Sequence, residues 1–207
     1  MARRKIREYD AKKLLMEALS QQGLAIAWKG VLITPETDLH TLTQEYAWLR
    51  SESLVVKPDQ LFGKRGKLGL IAVNKNCDQV QEFIHKHRST ETTIGKATDR
   101  LTHFLIEPFI PHTQEYYLSF TSEREGITIY FSTQGGVEVE ENWNKVQKCF
   151  IPTLAKTENN FEELLAQAPP QQKKKIQAFI AALFQSYQDL DFTYLEFNPF
   201  TIDEQNQ

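Results

Sequence analysis

Between residues 55 and 70 the chain reads VVKPDQLFGKRGKLGL, which sets Lys57, Lys64, Arg65 and Lys67 beside Gly63, Gly66 and Gly69. Backbone N–H groups in a tight glycine turn can converge on an anion, and neighbouring cations add charge. Glycine also lets the main chain come close to a phosphate. The runs on either side, LVVK (54–57) and LGLIAV (68–73), are apolar and read as strands, so the basic segment joins two strands as a lid would. Neither G-x-x-x-x-G-K-[ST] nor G-x-G-x-x-G occurs, which removes the Walker loop and the Rossmann fingerprint. A solvated basic hairpin, its glycines serving only turn geometry, is the competing reading, and the segment alone does not decide between them.

Two further groupings could complement such a loop. EPFIPHTQEYY places Glu107 at the end of an apolar run, Pro108-x-x-Pro111 after it, and Glu115 at the start of the next run. A proline-bounded extended segment exposes main-chain groups that can read the edge of a purine, and a carboxylate a few residues on can accept two ribose hydroxyls. A plain strand connection with a surface glutamate explains the same residues. In YLEFNP (194–199), Glu196 and Asn198 share a strand face because side chains alternate with period two. Their oxygens are the hard ligands Mg²⁺ takes beside nucleotide phosphates, although Asn-Pro is also an ordinary turn pair.

The elements that must position these groups follow from periodicity. After Asp10, AKKLLMEALSQQG repeats apolar residues at helical spacing (Leu14, Leu15, Ala18, Leu19) and meets a stop at Gly23. Residues 24–34 read as extended, and Thr34–Asp38 as a turn and helix cap leading into HTLTQEYAWL. DQVQEFIHKH (78–87) is helical, with Val80, Phe83 and Ile84 on one face. From 103 onward, HFLIEPFI, EYYLSFTS and GITIYFST are three short strands separated by turn signals, which predicts an antiparallel meander. KCFIPTLA is a further strand. A long helix over about 171–188 shows Ile176, Phe179, Ile180, Leu183, Phe184 and Tyr187 at spacings of three and four, and FTYLEFNPFTI closes the pattern as a strand. Helices alternating with parallel-like and meandering strands give an α/β or α+β class, with one lobe over 1–102 and a second over 103–207.

Composition narrows the function classes. The 207 residues are 41% hydrophobic and 25% charged, an ordinary globular balance, and the net charge of −3 argues against a nucleic-acid partner. No apolar run approaches the roughly 20 residues that span a bilayer, and MARRKIREYDAKK has no apolar signal region, so a cytoplasmic protein without membrane attachment is expected. Cys77 and Cys149 lack metal or disulfide spacing.

ITPETD (33–38), SLVVKPDQL with KRGKLGL (53–70), IGKAT (94–98), FLIEPFIPHTQE (104–115), GGVEVE (135–140) and FTYLEFNP (192–199) occur in the order found in ATP-grasp proteins of the acyl-CoA synthetase type. Together they resemble the amino-terminal part of the ATP-citrate lyase family. REYDAKKLL is similar to the first helix of the related succinyl-CoA synthetase β subunits. The resemblance implies an ATP-grasp fold of two small lobes with nucleotide between them. It implies that Lys57 contacts ATP phosphate or the adenine edge, and that Arg65 and Gly66 belong to a loop closing over the phosphates. Pro108 and Ile110 would present main-chain groups to adenine, Glu115 would hold the ribose, and Asn198 would be a Mg²⁺ ligand; GGVEVE, with Glu138, matches a family segment without a firm role. The family reaction phosphorylates a histidine with Mg-ATP, passes the phosphoryl group to citrate and forms citryl-CoA, which is cleaved to acetyl-CoA and oxaloacetate.

The chain also departs from the family pattern. None of His40, His85, His87, His103 or His112 matches the phosphorylated histidine, and the turn before Glu115 is shorter. The match runs out at TIDEQNQ, ahead of the strand that carries the second Mg²⁺ ligand and of the citrate- and CoA-binding parts; Asp203 or Glu204 would substitute only by folding back. Three readings therefore stand. The chain is the ATP-grasp portion of an ATP-citrate lyase needing other domains or subunits in an oligomer, or it serves another acid-CoA ligase using succinate or malate, or it is a non-catalytic relative that binds nucleotide or a partner.

Overall fold

The computed structural model describes residues 4–62, 65–88, 90–94, 97–136, 139, 141–154 and 161–203. The chain divides into two compact units, 1–14 with 27–110, and 15–26 with 111–207. Each unit has its own buried cluster. The helix α1 (Glu8–Gln21) gives its first half to one and its second half to the other. No helix among the described residues is long and apolar enough to cross a membrane.

The first unit is built on β1 (Val31–Ile33), β2 (Leu54–Pro58), β3 (Ala72–Lys75) and β6 (Phe104–Pro108), in the order β1-β6-β2-β3. Alternation sends Leu54, Val56, Phe104 and Ile106 to one face, where they are almost fully buried with Val31 and Ile33. Against that cluster lie Leu49 from α3 (Trp48–Ser51) and Val80 and Ile84 from α4 (Cys77–His87). Asn76 starts α4 with a reciprocal capping box: its side chain accepts from Gln79 N, and Gln79 accepts from Asn76 N. Asp38 caps α2 (Leu39–Glu45) as the sequence predicts, accepting from His40 N at 3.0 Å. A hairpin of β4 (Glu91–Ile94) and β5 (Ala97–Arg100) completes the unit.

The second unit carries the sheet β10-β7-β8-β9, from β7 (Tyr116–Ser122), β8 (Gly126–Ser132), β9 (Gln147–Pro152) and β10 (Tyr194–Phe200). Tyr116, Leu118, Phe120, Ile129 and Phe131 form its apolar face, packed with Leu15, Leu19 and the stripe Ile176, Ile180, Leu183, Phe184 and Tyr187 of α5 (Pro170–Asp189). The helical period of that stripe matches the sequence reading, and Pro170 sits at the first turn, where its missing N–H is harmless. Gly23, at φ +79°, ends α1 as expected: Leu24 N donates to Leu19 O and Gly23 N to Ser20 O.

Three expectations change. Among the described residues every strand pairing is antiparallel, so the mixed class takes its α+β form. Residues 104–108 do not open a meander with 116–122; they insert between β1 and β2, pairing Val31 with Ile106 and Val56 with Ile106. The strand therefore belongs to the first unit, and the division falls after Ile110 rather than at 102. Finally, α1 begins at Glu8 and not after Asp10, for a reason that lies elsewhere in the chain.

Candidate functional site

Asp59 supplies that reason. Its carboxylate, on a residue that is fully buried, accepts from Glu8 N at 2.8 Å and Tyr9 N at 3.4 Å, capping α1 from the residue that follows β2. Burial pushes the Asp59 carboxyl up from its ordinary value, with the two N–H groups opposing. The cap lays the first turns of α1 across the second face of the unit's sheet, which carries Lys57 and Glu107. Glu8 Oε1 lies 2.6 Å from Lys57 Nζ and 2.9 Å from Lys12 Nζ, and its Oε2 lies 2.6 Å from Arg65 Nη2. Glu107 receives Lys57 at 2.9 Å, Lys12 at 2.6 Å and the Trp28 indole N–H at 2.6 Å. Burial opposes the charge on both carboxylates, but Lys57 and Lys12, joined at Glu8 by Arg65, hold them below the ordinary glutamate value. Burial likewise pulls the Lys57 ammonium down, and Glu8 and Glu107 more than reverse it.

Arg65 also donates to Pro58 O at 2.7 Å, so two ends of the guanidinium are fixed within the unit. The stretch from Arg65 closes on itself: Leu70 N donates to Arg65 O and Gly69 N to Gly66 O, with Gly69 at φ +66°. That paired closure explains one glycine of the basic window as turn geometry, while Gly66 is exposed on the same turn. Gly63 and Lys64 lie outside the described residues. At the other end of the sheet, Pro108 pairs with Leu54 and Ile110 is 44% exposed. Of the main-chain groups in this proline-bounded segment, Phe109 N is not available to a purine, because it donates to Ser53 O at 2.7 Å.

The second unit gathers a different set. Glu115 Oε1 lies 3.1 Å from His112 Nε2, and the Glu115 carbonyl accepts from Gly135 N at 3.0 Å. Gly136, at φ +80°, donates its N–H to Asn198 Oδ1 at 2.7 Å, and a Cβ there would overlap Glu115 Oε2. One glycine thus touches both the carboxylate singled out before β7 and the amide singled out on β10. Beside it is an open hollow of about 390 Å³ lined by His112, Thr113, Gln114, Glu115, Thr133, Gln134 and Gly135. Glu196 and Asn198 do share a face of β10, both exposed. Tyr194, one step before Glu196 on that face, has its phenol raised by burial and by Glu196. Among the described residues no group of three or more His, Cys, Asp or Glu is arranged to hold a metal by itself.

Each sequence-predicted residue thus has a place: Lys57 and Arg65 in one ionic cluster, Gly66 on its loop, Pro108 and Ile110 at the end of β6, Glu115 and Asn198 on either side of Gly136. Glu138 and Glu204 lie outside the described residues. Sequence reasoning missed Glu8 and Asp59. Their only trace in the sequence lies within REYDAKKLL and SLVVKPDQL, segments that carry the family resemblance but fix no contacts. It also left Gly136 without a role.

The whole chain finds relatives. Residues 2–207 match the family model described as the ATP-citrate synthase ATP-grasp domain. ATP-citrate synthase alpha chain protein 2 of Oryza sativa subsp. japonica is 48% identical over 204 residues, covering 98% of this chain and 48% of the relative. The ATP-citrate synthase of Bos taurus is 42% identical, over 98% of this chain but 19% of its own length. Among solved structures, ATP citrate lyase from Methanothrix soehngenii, in complex with citrate and coenzyme A, superposes with a TM-score of 0.88 at 39% identity, over 99% of this chain and 49% of that one. The chain therefore spans about half the length of the plant relative and of the archaeal structure, and about a fifth of the animal enzyme.

Proposed function

Because the chain belongs to the ATP-citrate synthase ATP-grasp domain family, we propose that it binds Mg-ATP as the nucleotide-binding portion of an enzyme that converts citrate and CoA to acetyl-CoA and oxaloacetate. The observation that carries this reading is Gly136, whose N–H holds Asn198 and whose missing Cβ leaves room for the Glu115 carboxylate. Groups suited to a metal and to a ribose thereby meet at one backbone position. The citrate- and CoA-binding groups and the phosphorylated histidine belong to parts of the enzyme outside these 207 residues, in the same chain or in a partner subunit of a cytoplasmic oligomer.

In this reading Lys57 and Arg65 neutralise phosphate charge, Gly66 lets the loop main chain approach the phosphates, Pro108 and Ile110 offer main-chain groups to adenine, and Glu115 accepts the ribose hydroxyls. Phosphoryl transfer depends mainly on positioning and on electrostatic stabilisation, which is what fixed cations supply. The donor set fits Mg²⁺. Asn198 Oδ1 keeps a second lone pair beyond the Gly136 bond, Glu196 shares its face, and Mg²⁺ takes oxygen ligands from one or two side chains, phosphates and water. Bound there, the ion would neutralise charge on the phosphates.

Calorimetric titration of Mg-ATP into the chain tests the reading, with GTP and with ATP in EDTA as controls. Saturable, Mg-dependent binding that weakens in Lys57→Ala and in Arg65→Ala, with thermal unfolding still cooperative, is the expected result. Unchanged affinity in both variants would remove the phosphate assignment.

A further inference from the structure

The cluster in the first unit contains a residue with no role in the reading above. Glu8 alone among the described residues touches both of the cations assigned to phosphate, Lys57 through Oε1 and Arg65 through Oε2, each at 2.6 Å. Its own place is fixed twice over. Its backbone N–H is held by Asp59, two residues after Lys57, and its side chain is braced by Lys12 one helical turn on, at 2.9 Å. Arg65 returns to Pro58, the residue between Lys57 and Asp59. Contacts thus run in a closed ring from the end of β2 through Asp59 to α1, through Glu8 to the two cations, and through Arg65 back to β2.

Lysine and arginine are the side chains with most rotamer freedom to lose, and ordering them at the moment of binding weakens affinity. Among the described residues, each still has donors to offer. The ammonium uses two of its three N–H groups on Glu8 and Glu107, and the guanidinium two of its five on Glu8 and Pro58. From this geometry we propose that Glu8 is a positioning residue: its carboxylate fixes Lys57 and Arg65 in advance, leaving their remaining N–H groups for the phosphates of a nucleoside triphosphate. The inference rests on the nucleotide reading given above and extends it to a residue on α1 that does not itself touch the ligand.

Glu8→Gln keeps the shape and one acceptor oxygen but removes the charge, and Glu8→Asp keeps the charge on a shorter stem. Calorimetric titrations of the 207-residue chain with Mg-ATP and with adenosine distinguish positioning from general damage. Expected is a roughly tenfold loss of Mg-ATP affinity in Glu8→Gln, equivalent to ordering one long side chain on binding. Adenosine affinity should stay unchanged and Glu8→Asp should recover part of the loss. Mg-ATP binding that is unchanged or tighter in Glu8→Gln would overturn the proposal, since Glu8 would then be a competitor of the phosphates. Equal losses for Mg-ATP and adenosine would overturn it as well, by reducing Glu8 to a structural part. A second measurement does not depend on nucleotide. In side-chain amine spectra of isotope-labelled lysine, Lys57 should titrate at lower pH in Glu8→Gln than in the wild type, and an unmoved Lys57 would refute the positioning contact. A wild-type chain that fails to bind Mg-ATP while Lys57 shifts as expected would refute the nucleotide reading, and with it the positioning of these cations for phosphate, leaving Glu8 a structural anchor.

Discussion

Replacing Gly136 by alanine strikes the backbone and the side chains separately, and the structure allows the two effects to be weighed. At φ +80° an L side chain meets the left-handed penalty, about 1–2 kcal/mol. A chain of this length shifts by about 2–4 °C per kcal/mol, so the melting temperature should fall by roughly 2–8 °C. The new Cβ would also overlap Glu115 Oε2. That carboxylate is the far end of a side chain 40% exposed, so it can swing aside at little further loss of stability, but in doing so it leaves His112. A carboxylate accepting hydroxyls contributes about 1.5–3 kcal/mol, or ten- to a hundredfold in affinity. Mg-ATP binding should weaken by that factor, and 2′-deoxy-ATP, already short of one hydroxyl, by less. Gly23→Ala supplies the control: φ is +79° and nothing lies within 4 Å of the added carbon, so it should lower the melting temperature alike and leave nucleotide binding alone. The assay pairs thermal unfolding with titration of the two nucleotides. A Gly136→Ala protein that melts like Gly23→Ala and keeps its full preference for the ribose would refute the reasoning.

Two other outcomes follow from the cluster around Glu8. Asp59→Ala removes the cap of α1 and should lower stability by about 1–2 kcal/mol, with Asp59→Asn intermediate because it keeps an acceptor; equal melting temperatures for Asp59→Ala and wild type would contradict the capping role. Glu8 and Glu107 have folded-state acidities held below the ordinary 4.5, so their contribution to stability is fully present above that value and is lost as pH falls through the folded values. Asp59, raised by burial, acts in the opposite sense and offsets part of the loss. Urea midpoints should therefore be flat near neutrality and fall below the ordinary glutamate value. Glu8→Gln should flatten that fall, and an identical acid limb in the variant would show that the cluster does not couple to folding.

Local order in the chain was legible wherever one element carried its own signal. The stripe of α5, the Gly23 stop, the Asp38 cap and the shared face of Glu196 and Asn198 all depend on residues a few positions apart. The glycine loop was legible only as a basic turn: that Gly69 serves the turn and Arg65 an ion pair is a division no spacing rule could make. What escaped was non-local. HFLIEPFI has the composition of any buried strand, and nothing in it says that its neighbours are 31–33 and 54–58 rather than 116–122. The hairpin of β4 and β5 was hidden for another reason: ETTI and ATDR are too polar for alternation to show. The cap of α1 comes from Asp59, far along the chain, so periodicity alone placed the helix only after Asp10. Lys57 and Arg65 were visible as charges, but their pairing with Glu8, and that of Lys57 with Glu107, depends on tertiary packing that the sequence does not spell out.

The order β1-β6-β2-β3 has a consequence for how the first unit comes into being. One of its two inner strands, β6, is also the last of the four to be synthesised. Until Phe104–Pro108 leaves the ribosome, β1 has no strand neighbour and β2 only β3, and the apolar face lacks Phe104 and Ile106. Pairings such as Val31 with Ile106 close long loops, which slows folding and prolongs exposure to aggregation. Lys57 and Glu107 reach the same face of the sheet only when that strand docks, so the ionic cluster they share with Glu8 and Lys12 assembles late.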